Sequence, residues 1–489
     1  MEVRTRFAPS PTGYMHIGNL RSALFTYLTA KSMGGKFILR IEDTDQERKV
    51  EGAVEFILNT LNMLGLHPDE GAGVGGDFGP YYQSERLDIY KKYAEELVEK
   101  GDAYYCFCDE ERLEKLREIA SARKVPFTYD GHCSHIPLEE ARKRVLNGEK
   151  YVIRQKMPKE GVTSYIDTVY GEIKVENSAL EDQILIKSDG FPTYNFANVI
   201  DDHLMEITHV IRGKEYLDHL MKISHVNRGN EYLSSTPKYL LLYKALGWES
   251  PVYIHQPLVI KADGTKISKR NKDDNLMDLI NRGFLPEAII NYIALIGWSP
   301  KENKEFFTLS ELEKEFDIHR ISSAPGCYDI KKLEWFNAHY IKEMDDERYL
   351  EWIKPFLKYD ISDKSEDWVR MLLLTYKTHI NCGEMINDVV KNFFFEGYEL
   401  DDECKAFLAS DDIIPVVIDT FAREIEAIED FTTDNINIAI DNVKTSLNVK
   451  GKLLYMPLRI KASGFMHGPE LDACIYLLGK EKTLENLRR

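Results

Sequence analysis

The chain has 489 residues, 43% of them hydrophobic, and a formal charge of −18 at pH 7. That length exceeds what one hydrophobic core organises, so three or more domains are expected, and the apolar content excludes a disordered chain. No apolar run approaches the ~20 residues that cross a bilayer, so neither anchor nor signal peptide is expected, and the protein reads as cytoplasmic with no membrane partner.

The acidic balance disfavours indiscriminate binding to nucleic-acid phosphates, although basic runs at residues 112–124 and 142–159 leave local contacts open. Residues 1–95 alternate strand and helix patterns, as half of a doubly wound parallel sheet does. A strand pattern over residues 3–8 leads through Ser10, Thr12 and Gly13 to His16-Ile17-Gly18-Asn19, and a helical pattern follows over residues 20–30. The imidazole and glycines therefore lie at a strand-to-helix turn. Backbone N–H groups there favour anions, and Gly18 has no side chain to keep a base or phosphate away.

Residues 96–197 read as an insertion between two halves of the sheet, with strand-like runs at 151–155 and 166–175. Cys106-x-Cys108 and Cys133-x-His135 bracket a basic helical stretch inside it, and His132 is a spare neighbour. Four such ligands suit tetrahedral Zn²⁺ without an open position, but two free thiols fit the first pair equally well. The other cysteines, Cys327, Cys382, Cys404 and Cys474, show no pairing pattern and are expected to be buried thiols.

The strand-helix pattern resumes over residues 198–255 and contains a tandem repeat. DHLMEITHVIRGKEYL (202–217) is followed at once by DHLMKISHVNRGNEYL (218–233), identical at 12 of 16 positions. The unit is too short for a solenoid and ends in one strand, for which a parallel sheet has one slot. Ile211 of the first copy is Asn227 in the second. Burying an unpaired amide costs about 1–3 kcal/mol, so the first copy is expected in the sheet, with Arg212 rather than Arg228 the working arginine. Beyond it, Lys266-Ile267-Ser268-Lys269-Arg270 follows Gly264 on a loop and sets two ammonium groups three residues apart, able to follow charge developing on phosphate oxygens. Residues 256–337 form a smaller unit around that loop, and residues 338–489 show helical periodicity without β punctuation.

RFAPSPTGYMHIGNLRSAL, RIEDTD, GPYYQSER, SDGFPTYNFANVIDDHLM, STPKYLLLYKALGW, GTKISKR, GFLPEAIINYIALIGW and MPLRIKASGFMHGPEL span essentially the whole chain. Together they resemble the class I aminoacyl-tRNA synthetases, and within them the bacterial glutamyl-tRNA synthetases. The resemblance implies an α/β fold: a Rossmann-like catalytic domain (1–95 and 198–255), an α+β acceptor-stem-binding insertion (96–197), a stem-contact region (256–337) and an all-helical anticodon-binding domain (338–489). It implies attachment of L-glutamate to tRNA(Glu), through a glutamyl-adenylate made from ATP with Mg²⁺ and then transfer to the terminal ribose.

By the same resemblance Thr12, Gly13, His16, Gly18, Lys266, Ser268 and Lys269 meet ATP, with His16, Gly18, Asn19, Lys266 and Lys269 serving catalysis. Arg6, Ser10, Glu42, Tyr194, Asn198 and Arg212 meet glutamate. An arginine on the side-chain carboxylate separates glutamate from glutamine, because an amide leaves guanidinium charge unpaired. Cys106, Cys108, Cys133 and His135 become a structural Zn²⁺ site, and a monomer is expected. A glutaminyl-tRNA synthetase should carry β patterning in its C-terminal half, and a small-metabolite nucleotidyltransferase has no use for the long helical part. A catalytically impaired tRNA-binding relative is the alternative if the repeat disrupts the pocket.

Overall fold

The computed structural model describes residues 2–11, 15–45, 50–125, 127–213, 235–265, 267, 275–395 and 398–489. Two compact units emerge, residues 1–277 with 290–329, and residues 278–289 with 330–489. In chain order the strands are β1 (Arg4–Phe7), β2 (Lys36–Leu39), β3 (Glu70–Gly71), β4 (Ala103–Cys106), β5 (Val152–Gln155), β6 (Val162–Asp167), β7 (Gly171–Glu176), β8 (Ile184–Ile186), β9 (His209–Gly213), β10 (Val252–Gln256), β11 (Val259–Lys261) and β12 (Gly326–Tyr328).

The first unit is built on a seven-stranded sheet of order β3-β2-β1-β9-β10-β6-β7, parallel throughout except for the β6–β7 pair. From β1 the chain first builds outward through β2 and β3, then returns to the other side of β1 at β9. That reversal makes the β1–β9 junction the switch point, where open α/β sheets place their ligands. The helix Ile17–Ser32 covers one face, with Thr5 donating its hydroxyl to the Thr26 carbonyl at 2.9 Å. Helices Leu87–Lys100, Tyr194–Leu204 and Ser235–Leu246 share a core of Tyr90, Leu97, Phe196, Ile200, Tyr239 and Leu242.

The β6–β7 hairpin departs from the expected layout. It extends the central sheet by pairing with β10, Asp167 opposite Tyr253, whereas the insertion keeps its own antiparallel sheet, β4-β5-β8. Alternating exposure along β6 suits a strand near a sheet edge, with one face in solvent. β9 comes from the first repeat copy and fills the slot between β1 and β10, with Ile211 buried. Residues 218–233 lie outside the described residues.

Among the described residues the second unit contains helices and no strand. Its core gathers Tyr349, Leu372, Leu373, Phe421, Ile440, Leu458 and Ile475. Residues 278–289 belong to it because Asn337 bridges backbone on both sides, accepting from the Leu285 amide (2.8 Å) and donating to the Gly283 and Asn381 carbonyls (3.2 and 2.7 Å). Gly283 must be glycine: its φ is +87°, and a Cβ would come within 2.4 Å of the Gly383 nitrogen.

Candidate active site

Strand register decides which side chains share a face. Arg6 pairs with Ile38, so Arg40 lies two residues farther on the same side; Arg212 pairs with His255, and Asp167 with Tyr253. Because the side-chain period of a strand is two, Arg6, Arg40, Arg212, Tyr253, His255 and Asp167 fall on one face. On that face the end of the helix Tyr194–Leu204 supplies Asp201 and Asp202.

The arginines are all buried, so each needs a partner. Arg6 donates Nε–H to Asp202 (2.9 Å), and Arg40 donates to the same carboxylate (2.7 Å) and to Glu42 (3.1 Å). Asp201 accepts from Arg86 at 2.7 Å. Burial alone would raise Asp202, yet Arg6 and Arg40 hold it below the ordinary carboxylate range. Glu42 behaves oppositely: burial lifts it to about 7 although Arg40 and Arg6 pull it down. Two carboxylates on one arginine thus carry different proton affinities.

Arg212 sits between strands and aromatic rings. Its Nε–H goes to His255 Nε2 (3.1 Å) and an Nη2–H to the Thr236 hydroxyl (2.7 Å), while the Tyr239 and Tyr253 rings lie 4.8 and 5.0 Å from the guanidinium carbon. Asn198 is buried and donates to the Tyr194 carbonyl at 2.9 Å, fixing the first turn of their helix. Ser10 is exposed on the loop after β1, beside Pro9, whose carbonyl accepts the Glu42 amide at 3.1 Å. Asp43 accepts from both the amide and hydroxyl of Ser84 (2.9 and 2.7 Å), joining the RIEDTD and GPYYQSER strings.

The turn after β1 differs in one respect from its sequence reading. His16 caps the helix, its Nδ1 accepting the Asn19 amide at 3.2 Å. A Cβ on Gly18 would meet the His16 ring at 2.9 Å, so Gly18 first makes room for that imidazole. Thr12 and Gly13 lie outside the described residues, as do Lys266, Ser268 and Lys269. The described approach to the lysines is a tight turn, with Gly264 at φ +78° and Asp263 accepting from the Thr265 amide at 2.9 Å.

In the insertion, Cys106, Cys108 and Cys133 place their sulfurs within 4.8 Å of one another. The Tyr129 hydroxyl joins them, 3.2 Å from Cys106 Sγ and 3.3 Å from Cys108 Sγ, and accepts the Cys133 amide. Hydrogen bonding from Cys133 holds Cys106 down to about 4 against its burial. His135 does not enter the group and is exposed. The reason is rotational: residues 132–135 form a 3₁₀ turn, in which positions two apart point about 120° away from each other, so with Cys133 turned inward His135 faces away from the cluster.

Residues 2–219 and again 217–335 match the model for the catalytic domain of class I tRNA synthetases (E and Q), and residues 348–489 match the anticodon binding domain. The two catalytic matches meet inside the tandem repeat. The chain is 47% identical to the glutamate–tRNA ligase of Clostridium novyi (strain NT) and 42% identical to that of Finegoldia magna, covering 100% of this chain and 97% and 99% of theirs. The chain belongs to the glutamate–tRNA ligase family. A glutamate–tRNA ligase from Elizabethkingia meningosepticum, crystallised in complex with its amino acid, superposes with TM-score 0.86 at 34% identity over 100% of this chain and 99% of that one. The synthetase from Elizabethkingia anophelis gives 0.87 with the same identity and coverage.

The sequence reading gave no site role to Arg40, Asp202, Asp167, His255, Thr236 or Tyr129, which the structure places against Arg6, Arg212 or the cysteines. Asp202 carried a signal, as the acid that opens each repeat copy. Asp167 and His255 carried none, being 88 residues apart on strands whose pairing only the fold reveals.

Proposed function

We infer that this enzyme attaches L-glutamate to tRNA(Glu), using ATP in two steps. One observation supports the reading most strongly: Arg6 and Arg212 lie buried on the same sheet face at the β1–β9 switch point, where an acidic metabolite would bind. Asp202 neutralises Arg6 from behind and the Tyr239 and Tyr253 rings flank Arg212, so both cations are desolvated and held in fixed orientations. A carboxylate gains far more from such guanidinium groups than a neutral amide does, which favours glutamate over glutamine. Glu42, Tyr194, Asn198 and Ser10 complete the glutamate pocket in this reading.

The α-carboxylate attacks the α-phosphorus of ATP in line while pyrophosphate departs, and the adenylate then passes its glutamyl group to the tRNA's terminal ribose hydroxyl. His16, Gly18, Asn19, Thr12 and Gly13 would hold the nucleotide, and Lys266, Ser268 and Lys269 its phosphates. Mg²⁺ would share that charge. Cys106, Cys108 and Cys133, with Tyr129 as the fourth donor in place of His135, fit a closed structural Zn²⁺ site that orders the insertion. The test is charging of purified tRNA with radiolabelled amino acid. Glutamate incorporation is expected and direct glutamine incorporation is not; preference for glutamine would overturn the assignment.

A further inference from the structure

The side chains behind Arg212 form a chain whose proton positions are dictated by chemistry. Asp167 ends β6 with both carboxylate oxygens engaged: Oδ1 accepts the Val169 and Tyr170 amides (both 3.0 Å), and Oδ2 accepts the His255 amide (3.2 Å) and lies 2.6 Å from His255 Nδ1. An ionised carboxylate can only accept, so His255 Nδ1 carries the proton. A guanidinium can only donate, so His255 Nε2 must offer its lone pair to Arg212 Nε–H. Both contacts are met by one neutral tautomer and by no other protonation state. Burial, reinforced by Arg212, pushes the imidazole down to about 4, and His255 and Asp167 are fully or almost fully buried.

We propose that Asp167 and His255 are a positioning pair that fixes the plane of the Arg212 guanidinium for the substrate carboxylate, Asp167 by setting the tautomer and His255 by presenting the acceptor. Neither group touches substrate. The pair acts through Arg212, with the Thr236 hydroxyl as the second anchor on the same guanidinium. This rests on the reading that Arg212 meets glutamate. Among the described residues, the titratable or charged groups against His255 are Asp167 on β6, Arg212 on β9 and Tyr253 on its own strand, whose ring is stacked 6.2 Å away, and Tyr165 of β6 interacts with Asp167 and Arg212.

Asp167→Asn lets an amide N–H face Nδ1, which drives the proton to Nε2 and opposes it to Arg212 Nε–H. His255→Gln keeps an oxygen where Nε2 stood, and His255→Phe removes it. Glutamate-dependent charging of full-length enzyme with tRNA and ATP separates these cases. Asp167→Asn and His255→Phe are expected to raise KM for glutamate at least about 10-fold, as a misplaced clamp does, with KM for ATP unchanged and His255→Gln within about 3-fold of wild type. A merely structural role would lower the active fraction, and so kcat, without moving KM for glutamate; that result overturns the proposal. Wild-type enzyme that charges no glutamate sinks the underlying reading instead. Should Asp167→Asn and His255→Phe not fold, ¹⁵N resonances of the wild-type imidazoles decide, with His255→Gln used to assign the signal: one neutral histidine protonated at Nδ1 between pH 6 and 8 is expected, and an Nε2–H tautomer refutes the pair.

Discussion

Two buried residues of the active-site face titrate in opposite senses over nearly the same pH range. Glu42 is raised to about 7 from an ordinary 4.5, so the folded state holds a proton that the unfolded chain releases, and its stabilising effect is present below 4.5 and lost as pH rises through 7. His255 is lowered to about 4 from 6.5, so its contribution is present above 6.5 and lost as pH falls through 4. Each displacement corresponds to about 3 kcal/mol across its window. In the wild type the two contributions have opposite slopes. Removing one should expose the other: denaturant unfolding of Glu42→Gln between pH 5 and 7 is predicted to show stability rising with pH, and His255→Gln stability falling. Parallel slopes in the two variants would contradict both assignments.

These residues also mark how far the sequence was legible. Arg6, Glu42, Asn198 and Arg212 were identified through motifs and do converge on one sheet face or its rim. Asp167 and His255 were silent because a hydrogen-bonded pair across parallel strands leaves no local pattern; only the register of β6 on β10 brings them to 2.6 Å. Gly18 was read as clearance for a nucleotide, while its nearest neighbour is the His16 ring of the same turn.

At the scale of elements, the cysteine cluster joins strand β4 to the 3₁₀ turn 132–135. Protein purified without chelator is predicted to hold one equivalent of zinc, unaffected by His135→Ala and weakened roughly 10-fold or more by Tyr129→Phe. Loss of metal on His135→Ala with retention in Tyr129→Phe, measured by elemental analysis after dialysis, would restore the original ligand set. Pair spacing pointed to a cluster here, and the structure brings Cys106, Cys108 and Cys133 together but leaves His135 outside the group. The hairpin β6–β7 was read as one strand-like run over 166–175, whereas β6 starts at Val162 and the chain turns at 168–170, and no local pattern tells an edge strand which sheet to join.

The strand taken from the repeat gives another element-scale expectation. Ile211→Asn should place an unpaired amide in the buried strand between β1 and β10 and cost about 1–3 kcal/mol in a urea melt. The reverse change in the second copy, Asn227→Ile, should leave stability within about 0.5 kcal/mol. Equal losses at both positions would mean that both copies pack into cores.

For the whole molecule, the alternation of strand and helix up to residue 255 and the helical periodicity over residues 338–489 made the division into an α/β unit and a helical unit readable, because each follows from the period of its hydrophobic pattern. The transfer of residues 278–289 to the helical unit was not readable, since it depends on a glycine-to-glycine approach and one bridging asparagine. The central claim is that a buried arginine face built from the first repeat copy recognises glutamate for attachment to tRNA. Charging of tRNA(Glu) by wild type, Arg212→Ala and Arg228→Ala, side by side, tests it most directly. Activity that falls at least about 100-fold in Arg212→Ala and persists in Arg228→Ala is the predicted result; a loss confined to Arg228→Ala, or no glutamate charging by the wild type, would contradict it.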